Sequence, residues 1–251
     1  MAIGGDHSIT GGILQALGNG HLAAGQPISL LHIDAHTDVF SKVPHFLGAK
    51  KSAAHWGAYL ADQGQVDPRS SMQIGIRGNP RTLDWLEPSY EYGYNVVTMK
   101  EVRRRGLADV IAQTKEVLAD RTAHRPSTTA LSSVSSVALR AHQRLSSSFC
   151  LSHASGVSRA GPVYITFDLD ALDPTVAPGV SNLEPGEQGF LVDDAMELLR
   201  SVRGMNLVGG DVVCLMPTRD QPNMITARTA AAVMFEMVAM LAENQLARRG
   251  A

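Results

Sequence analysis

The chain has 251 residues, and 22 Lys and Arg stand against 24 Asp and Glu for a formal net charge of −2. That balance gives no basic footprint for nucleic acid and no polybasic patch for a membrane surface. Two cysteines, Cys150 and Cys214, are too few for a disulfide framework and are not spaced like a zinc site, so a reducing, cytoplasmic compartment is expected; no apolar run is expected to span a bilayer, and the first residues lack a basic-plus-apolar signal.

Met1 to Ile3 read as the tail of a strand, followed by the glycine turn Gly4-Gly5-Asp6-His7-Ser8 and a helix starting near Ser8. Asp6 and His7 are thereby left at the strand's carboxyl end, as an N-capping turn or as part of a site. Ile28 to Ile33 (ISLLHI) is a continuous apolar run suited to a parallel strand covered on both faces. It leads into Asp34-Ala35-His36-Thr37-Asp38, which places Asp34, His36 and Asp38 at i, i+2 and i+4 on one face of an extended segment. Carboxylates with one imidazole suit manganese and would accept nickel or zinc; acids capping a following helix are the plainer reading. Val39 to Lys51, including His45, reads as a loop. Ser52 to Gly64 reads as a helix capped by Ser52, with His55 in its first turn and Trp56, Tyr59 and Leu60 on its apolar side.

Strands are expected over Met72–Ile76 and Val96–Met99, with a short helix and loop between them, and a charged amphipathic helix over Glu101–Asp120. Arg121 to Arg159 breaks the pattern. No Asp or Glu occurs from Arg121 through Phe167, and eleven serines fall between Ser127 and Ser158, so a Ser-rich insertion over 121–160 in a single domain of 1–251 is the simplest account. Ile165 to Phe167 end a buried strand, and Asp168 and Asp170 at i and i+2 point to one face of it. Two carboxylates so close repel each other without a cation between them. Val192–Val202 reads as a helix, Asn206–Val213 as a strand running into Cys214 and Thr218, and Ile225 to about Leu246 as a buried or oligomer-packed helix. Repeated strand–helix alternation predicts a three-layer α/β/α domain with a mostly parallel sheet.

In a parallel sheet all strand carboxyl ends lie along one edge, so His7, Asp34, His36, Asp38, Asp168 and Asp170 converge by topology. Four carboxylates match the charge of two divalent cations, which can activate a water at neutral pH for attack on a planar, electron-poor carbon. The segments GGDHS, DAHTD and FDLDALDPTVAPGVSNLEPG resemble the signatures of the ureohydrolase family (arginases, agmatinases and related guanidino-group hydrolases) over nearly the whole chain except Arg121–Arg159.

That resemblance implies an arginase-like fold, two metal ions (manganese, or nickel), and hydrolysis of a guanidino group to an amine and urea. His7 and Asp38 would bind one ion, His36 and Asp170 the other, with Asp34 and Asp168 bridging. His55 would shuttle protons to the leaving amine, and Asp38 would relay one from the nucleophile. Only three residues precede GGDHS, where the family carries further sequence, which implies N-terminal truncation. Cys214 stands where arginases and agmatinases carry a glutamate that contacts the guanidinium. Together with the HFLGAKKSAAHWGAYL and GIRGNPRTLDWL segments, this resembles the agmatinase-like branch. Agmatine, another ω-guanidino compound or free guanidine is the expected small-molecule substrate. Cys214, Trp56, His45 and Thr218 are the expected pocket residues, and a homotrimer or hexamer the expected assembly. A catalytically silent homologue with a binding or regulatory role is the alternative from a different class.

Overall fold

The computed structural model of the chain describes residues 1–19, 23, 25–41, 52–78, 84–119 and 161–250. Its strands are β1 (Ala2–Ile3), β2 (Ser29–Ile33), β3 (Met72–Ile76), β4 (Asn95–Thr98), β5 (Val163–Asp168) and β6 (Leu207–Val213). They form one sheet in the order β1-β6-β5-β2-β3-β4, and every described strand pair is parallel. The helices are α1 (Ser8–Gly18), α2 (Trp56–Asp62), α3 (Glu87–Tyr92), α4 (Met99–Arg105), α5 (Leu107–Ala119), α6 (Val192–Ser201) and α7 (Ile225–Gly250).

The runs SLLHI, MQIGI and VYITFD are buried at every position, as strands covered on both faces must be. On one face Leu31, Ile33, Ile74, Ile165, Phe167 and Val212 pack with Val110, Leu198, Val233 and Met237 of α5, α6 and α7. On the other, Leu30, Tyr164 and Val208 pack with Leu14 of α1 and Leu60 of α2. This is the expected three-layer α/β/α architecture.

Several local expectations shift for identifiable reasons. The helix expected from Ser52 starts at Trp56, because residues 52–55 make a turn in which the His55 and Trp56 N–H groups donate to Ser52 O. The strand expected to end at Met99 stops at Thr98. There Thr98 Oγ1 accepts from Glu101 N while the Glu101 carboxylate accepts from Thr98 N, a capping box that opens α4. The single helix expected over Glu101–Asp120 is two, parted at Gly106, whose φ of 85° no helical residue adopts. The expectation that no apolar run reaches bilayer length also fails: Ile225–Ala247 of α7, at mean hydropathy 1.5, is long and apolar enough. Here Ala230, Val233, Met237 and Met240 of that helix are buried in the core. The Ser-rich segment over 121–160 and His45 lie outside the described residues.

Candidate metal centre

Four adjacent strands deliver the site at their carboxyl ends. After β1, Gly4 donates its N–H to Val212 O (2.9 Å) and accepts from Leu215 N (3.2 Å), which ties the glycine turn to the end of β6. His7 Nδ1 then lies 3.1 Å from Asp34 Oδ2, 3.0 Å from Asp38 Oδ2 and 3.0 Å from Asp168 Oδ2. His36 Nδ1 lies 3.4 Å from Asp34 Oδ1 and 3.3 Å from Asp170 Oδ2. Asp34 therefore turns one oxygen to each imidazole. All six residues read from the sequence as ligands come together.

They do so by turns rather than by the alternation of an extended strand. The His36 N–H donates to Asp34 Oδ1 (2.6 Å), closing a turn just past β2, and Asp38 takes a left-handed φ of 52°. Asp170 sits in a 3-10 turn, Leu169–Ala171, where its N–H donates to Asp168 Oδ1 (2.9 Å). Asp34 and Asp168 thus each accept a nearby backbone N–H through Oδ1 and turn Oδ2 to His7.

Beneath the ligands runs a row of polar side chains that sequence reasoning missed. Gln73, His32, Thr166 and Asp211 are successive register partners across β3, β2, β5 and β6. Gln73 Nε2 approaches His32 Nδ1 (3.2 Å), and His32 Nε2 lies 2.7 Å from Asp34 Oδ2. An amide donor on Nδ1 leaves the His32 proton on Nε2, so this ring orients Asp34 instead of offering a lone pair. Thr166 Oγ1 meets His7 Nε2 at 2.9 Å and donates to Asp211 Oδ1 at 2.6 Å. Asp211 is fully buried and also accepts the hydroxyls of Thr10 and Tyr164, each at 2.8 Å. The sequence signals were a histidine and an aspartate inside otherwise apolar strand runs. The other ligand imidazole has its own support: His36 Nε2 lies 3.0 Å from Glu184 Oε1. Gly78 leaves it room, since a Cβ there would fall 2.4 Å from His36 Cδ2.

The electrostatics call for cations. Burial would lower the His7 imidazolium, yet the charge of Asp38 and contacts with Asp168 and Asp34 raise it well above the usual histidine range. His36 is likewise raised: burial would lower it, but Asp170, Asp34 and Glu184 together outweigh burial. Burial and the charges of Asp168 and Asp34 raise Asp170 well above the carboxylate range, while contacts with His32, His36 and His7 outweigh burial and hold Asp34 well below it. His7 Nδ1 and Asp170 Oδ2 are buried without a hydrogen-bond partner. One ring proton cannot serve three carboxylate oxygens at once. The 3.0–3.1 Å spacings match the separation of two ligand atoms about 2.1 Å from one ion at right angles to each other. The donor set, oxygens with two imidazoles, fits divalent manganese or nickel.

The other expected residues are placed differently. Trp56 is buried, donates its indole N–H to Asp38 Oδ2 (3.1 Å) and has its ring 5.2 Å from that of His7. It backs the centre from within the core. His55 is buried at the start of α2, with Nδ1 3.3 Å from Ser52 Oγ. Thr218 is exposed in the 3-10 turn Pro217–Arg219. Cys214 is buried at the end of β6 and groups with His7 and Asp168. Burial, then the charges of Asp168 and Asp170, push its thiol up.

The model of the arginase family matches residues 1–126 and 137–240. A human mitochondrial guanidino acid hydrolase is 30% identical over 241 residues, 96% of this chain and 54% of that protein. A guanidinopropionase of Pseudomonas aeruginosa is 30% identical over 248 residues, 97% of this chain and 61% of that protein. Among solved structures, proclavaminate amidino hydrolase from Streptomyces clavuligerus superposes with a TM-score of 0.70 at 27% identity, covering 95% of this chain and 64% of that one. The chain thus spans little more than half the length of these curated relatives.

Proposed function

The chain belongs to the arginase family, and from that premise we propose that it hydrolyses the guanidino group of a small substrate: R–NH–C(=NH2+)–NH2 plus water gives R–NH3+ plus urea. The observation that carries the reading is the cage of three carboxylate oxygens around the partnerless Nδ1 of buried His7, with Asp34 linking it to His36. His7 and Asp38 would hold one divalent ion, His36 and Asp170 the other, and Asp34 and Asp168 both. Bound there, the two ions supply Lewis acidity and lower the pKa of a nucleophilic water.

The chain's own groups do the rest. The polar row fixes the ring of His7 and the carboxylate of Asp34, so the ligands are set before substrate arrives. Asp38, held by the Trp56 indole, would carry the proton released by the nucleophile to the departing nitrogen. His55 would exchange that proton with solvent. Manganese is the leading choice of ion, with nickel second.

Agmatine or a related small guanidino compound is the leading substrate class. Free guanidine, yielding ammonium plus urea, is the second reading. A silent homologue with a binding role is the third, and a homotrimer or hexamer in a cytoplasmic setting completes the proposal. Urea release from agmatine, arginine, guanidinobutyrate and guanidine, by protein loaded with manganese or nickel, tests it. Urea from one of them supports the hydrolase; no urea from any, with both ions bound, overturns it in favour of the silent homologue.

A further inference from the structure

Resting on the two-ion reading above, we propose that Cys214 is itself a ligand of the ion on the His7 side. That position would then hold a thiolate beside its imidazole and carboxylates. Three observations carry this. The Sγ of Cys214 and the ligand atoms of His7 and Asp168 all lie within 4.8 Å of one another, and all three residues are buried. His7 Nδ1, aimed into the same cluster, lacks a hydrogen-bond partner. Cys214 also holds a left-handed φ of 64°, a strained conformation for a residue with a Cβ and one that gathers at functional sites.

The flanking chain maintains that conformation. Leu215 N donates to Gly4 O and Met216 N to Gly179 O, so the residues that follow Cys214 are anchored to the His7 loop and to the loop after β5. Asp38, on the same side of the centre, is left-handed too. Two ligands of the His7-side ion would then come from strained backbone, and none of the His36-side ligands would.

Binding needs no oxidant: the S–H bond gives way to a sulfur–metal bond, and the proton leaves to solvent. The result is two unlike positions. The His36 side offers imidazole and carboxylate alone, a set that manganese accepts. A thiolate on the His7 side tilts selection there toward cobalt, nickel or zinc.

The full chain loaded with cobalt(II) tests this by absorption spectroscopy. The expected result is a near-ultraviolet thiolate-to-cobalt charge-transfer band together with visible d–d bands. Cys214→Ser should remove the first and keep the second, while Cys150→Ser keeps both. Zinc-edge X-ray absorption on the unmutated chain needs no variant, and should show a sulfur scatterer about 2.3 Å from zinc. Visible bands without the charge-transfer band, or a zinc shell of nitrogen and oxygen only, would overturn the thiolate ligand and leave the two-ion centre standing. Failure of either metal to bind would overturn the centre and the ligand with it.

Discussion

Glu184 Oε1 meets His36 Nε2 at 3.0 Å, on the nitrogen opposite the one that faces Asp34 and Asp170. A carboxylate on the outer nitrogen fixes the ring's tautomer and direction and raises its basicity as a ligand. Glu184→Ala should weaken the ion on the His36 side by about 10–100-fold while the His7-side ion stays bound. Glu184→Gln, which still offers an acceptor, should recover part of that loss. Calorimetric titration with manganese reads the two affinities separately. Equal weakening of both ions would show that Glu184 supports the loop and not the ring.

Asp211 is the buried acceptor of three hydroxyls, from Thr10, Tyr164 and Thr166. Asp211→Ala strands those donors in the core and should cost about 2–4 kcal/mol of stability. Asp211→Asn keeps the shape and should cost less, yet still disturb the Thr166 hydroxyl beneath His7. Urea denaturation at fixed pH, with and without metal, measures both.

The pH dependence has a defined sign. In metal-free protein the folded-state pKa values of His7, His36 and Asp170 are raised. Each such group contributes stability that is complete below its unfolded value, about 6.5 for histidine and 3.9 for aspartate, and that is lost as pH rises through the raised value. Asp34 is lowered and works in the opposite sense, its contribution lost only as pH falls below the usual carboxylate range. Metal displaces the protons held by the two imidazoles and by any other ligand still protonated, so binding at pH 7 should release protons. The gain in melting temperature on adding metal should therefore grow from pH 6 to pH 9. Calorimetry in buffers of different ionisation enthalpy counts the protons; a gain that shrinks with rising pH would contradict the reading.

Gly78 lies against His36, and a Cβ there would come within 2.4 Å of Cδ2 and 2.7 Å of Nε2. Gly78→Ala should turn the ring away from Glu184 and lower occupancy of the His36-side ion. Elemental analysis of the purified variant measures that loss against the unmutated chain.

The convergence of the ligands was legible in the sequence because it depends only on parallel topology. Apolar runs ending in Asp34 and Asp168, and a glycine turn ending in His7, must meet along one sheet edge. How the side chains turn inward was not legible. Extended alternation was the available rule, whereas the His36 and Asp170 N–H groups bond back to Asp34 and Asp168 and curl the chain. The support was harder still to read. Thr166 meets Asp211, and His32 meets Gln73, only through cross-strand register, and register between strands tens of residues apart has no local signature. The single helix expected over Glu101–Asp120 runs through Gly106, whose positive φ divides the segment in two.

Two imidazoles and four carboxylates from three distant segments would hold two cations. Metal content of the full chain, equilibrated with manganese and freed of unbound ions, tests this most directly when measured beside Asp168→Ala. Two ions per chain are expected for the unmutated protein and less than one for the variant, with urea release abolished. Two ions retained in Asp168→Ala, or none in the unmutated chain, would contradict it.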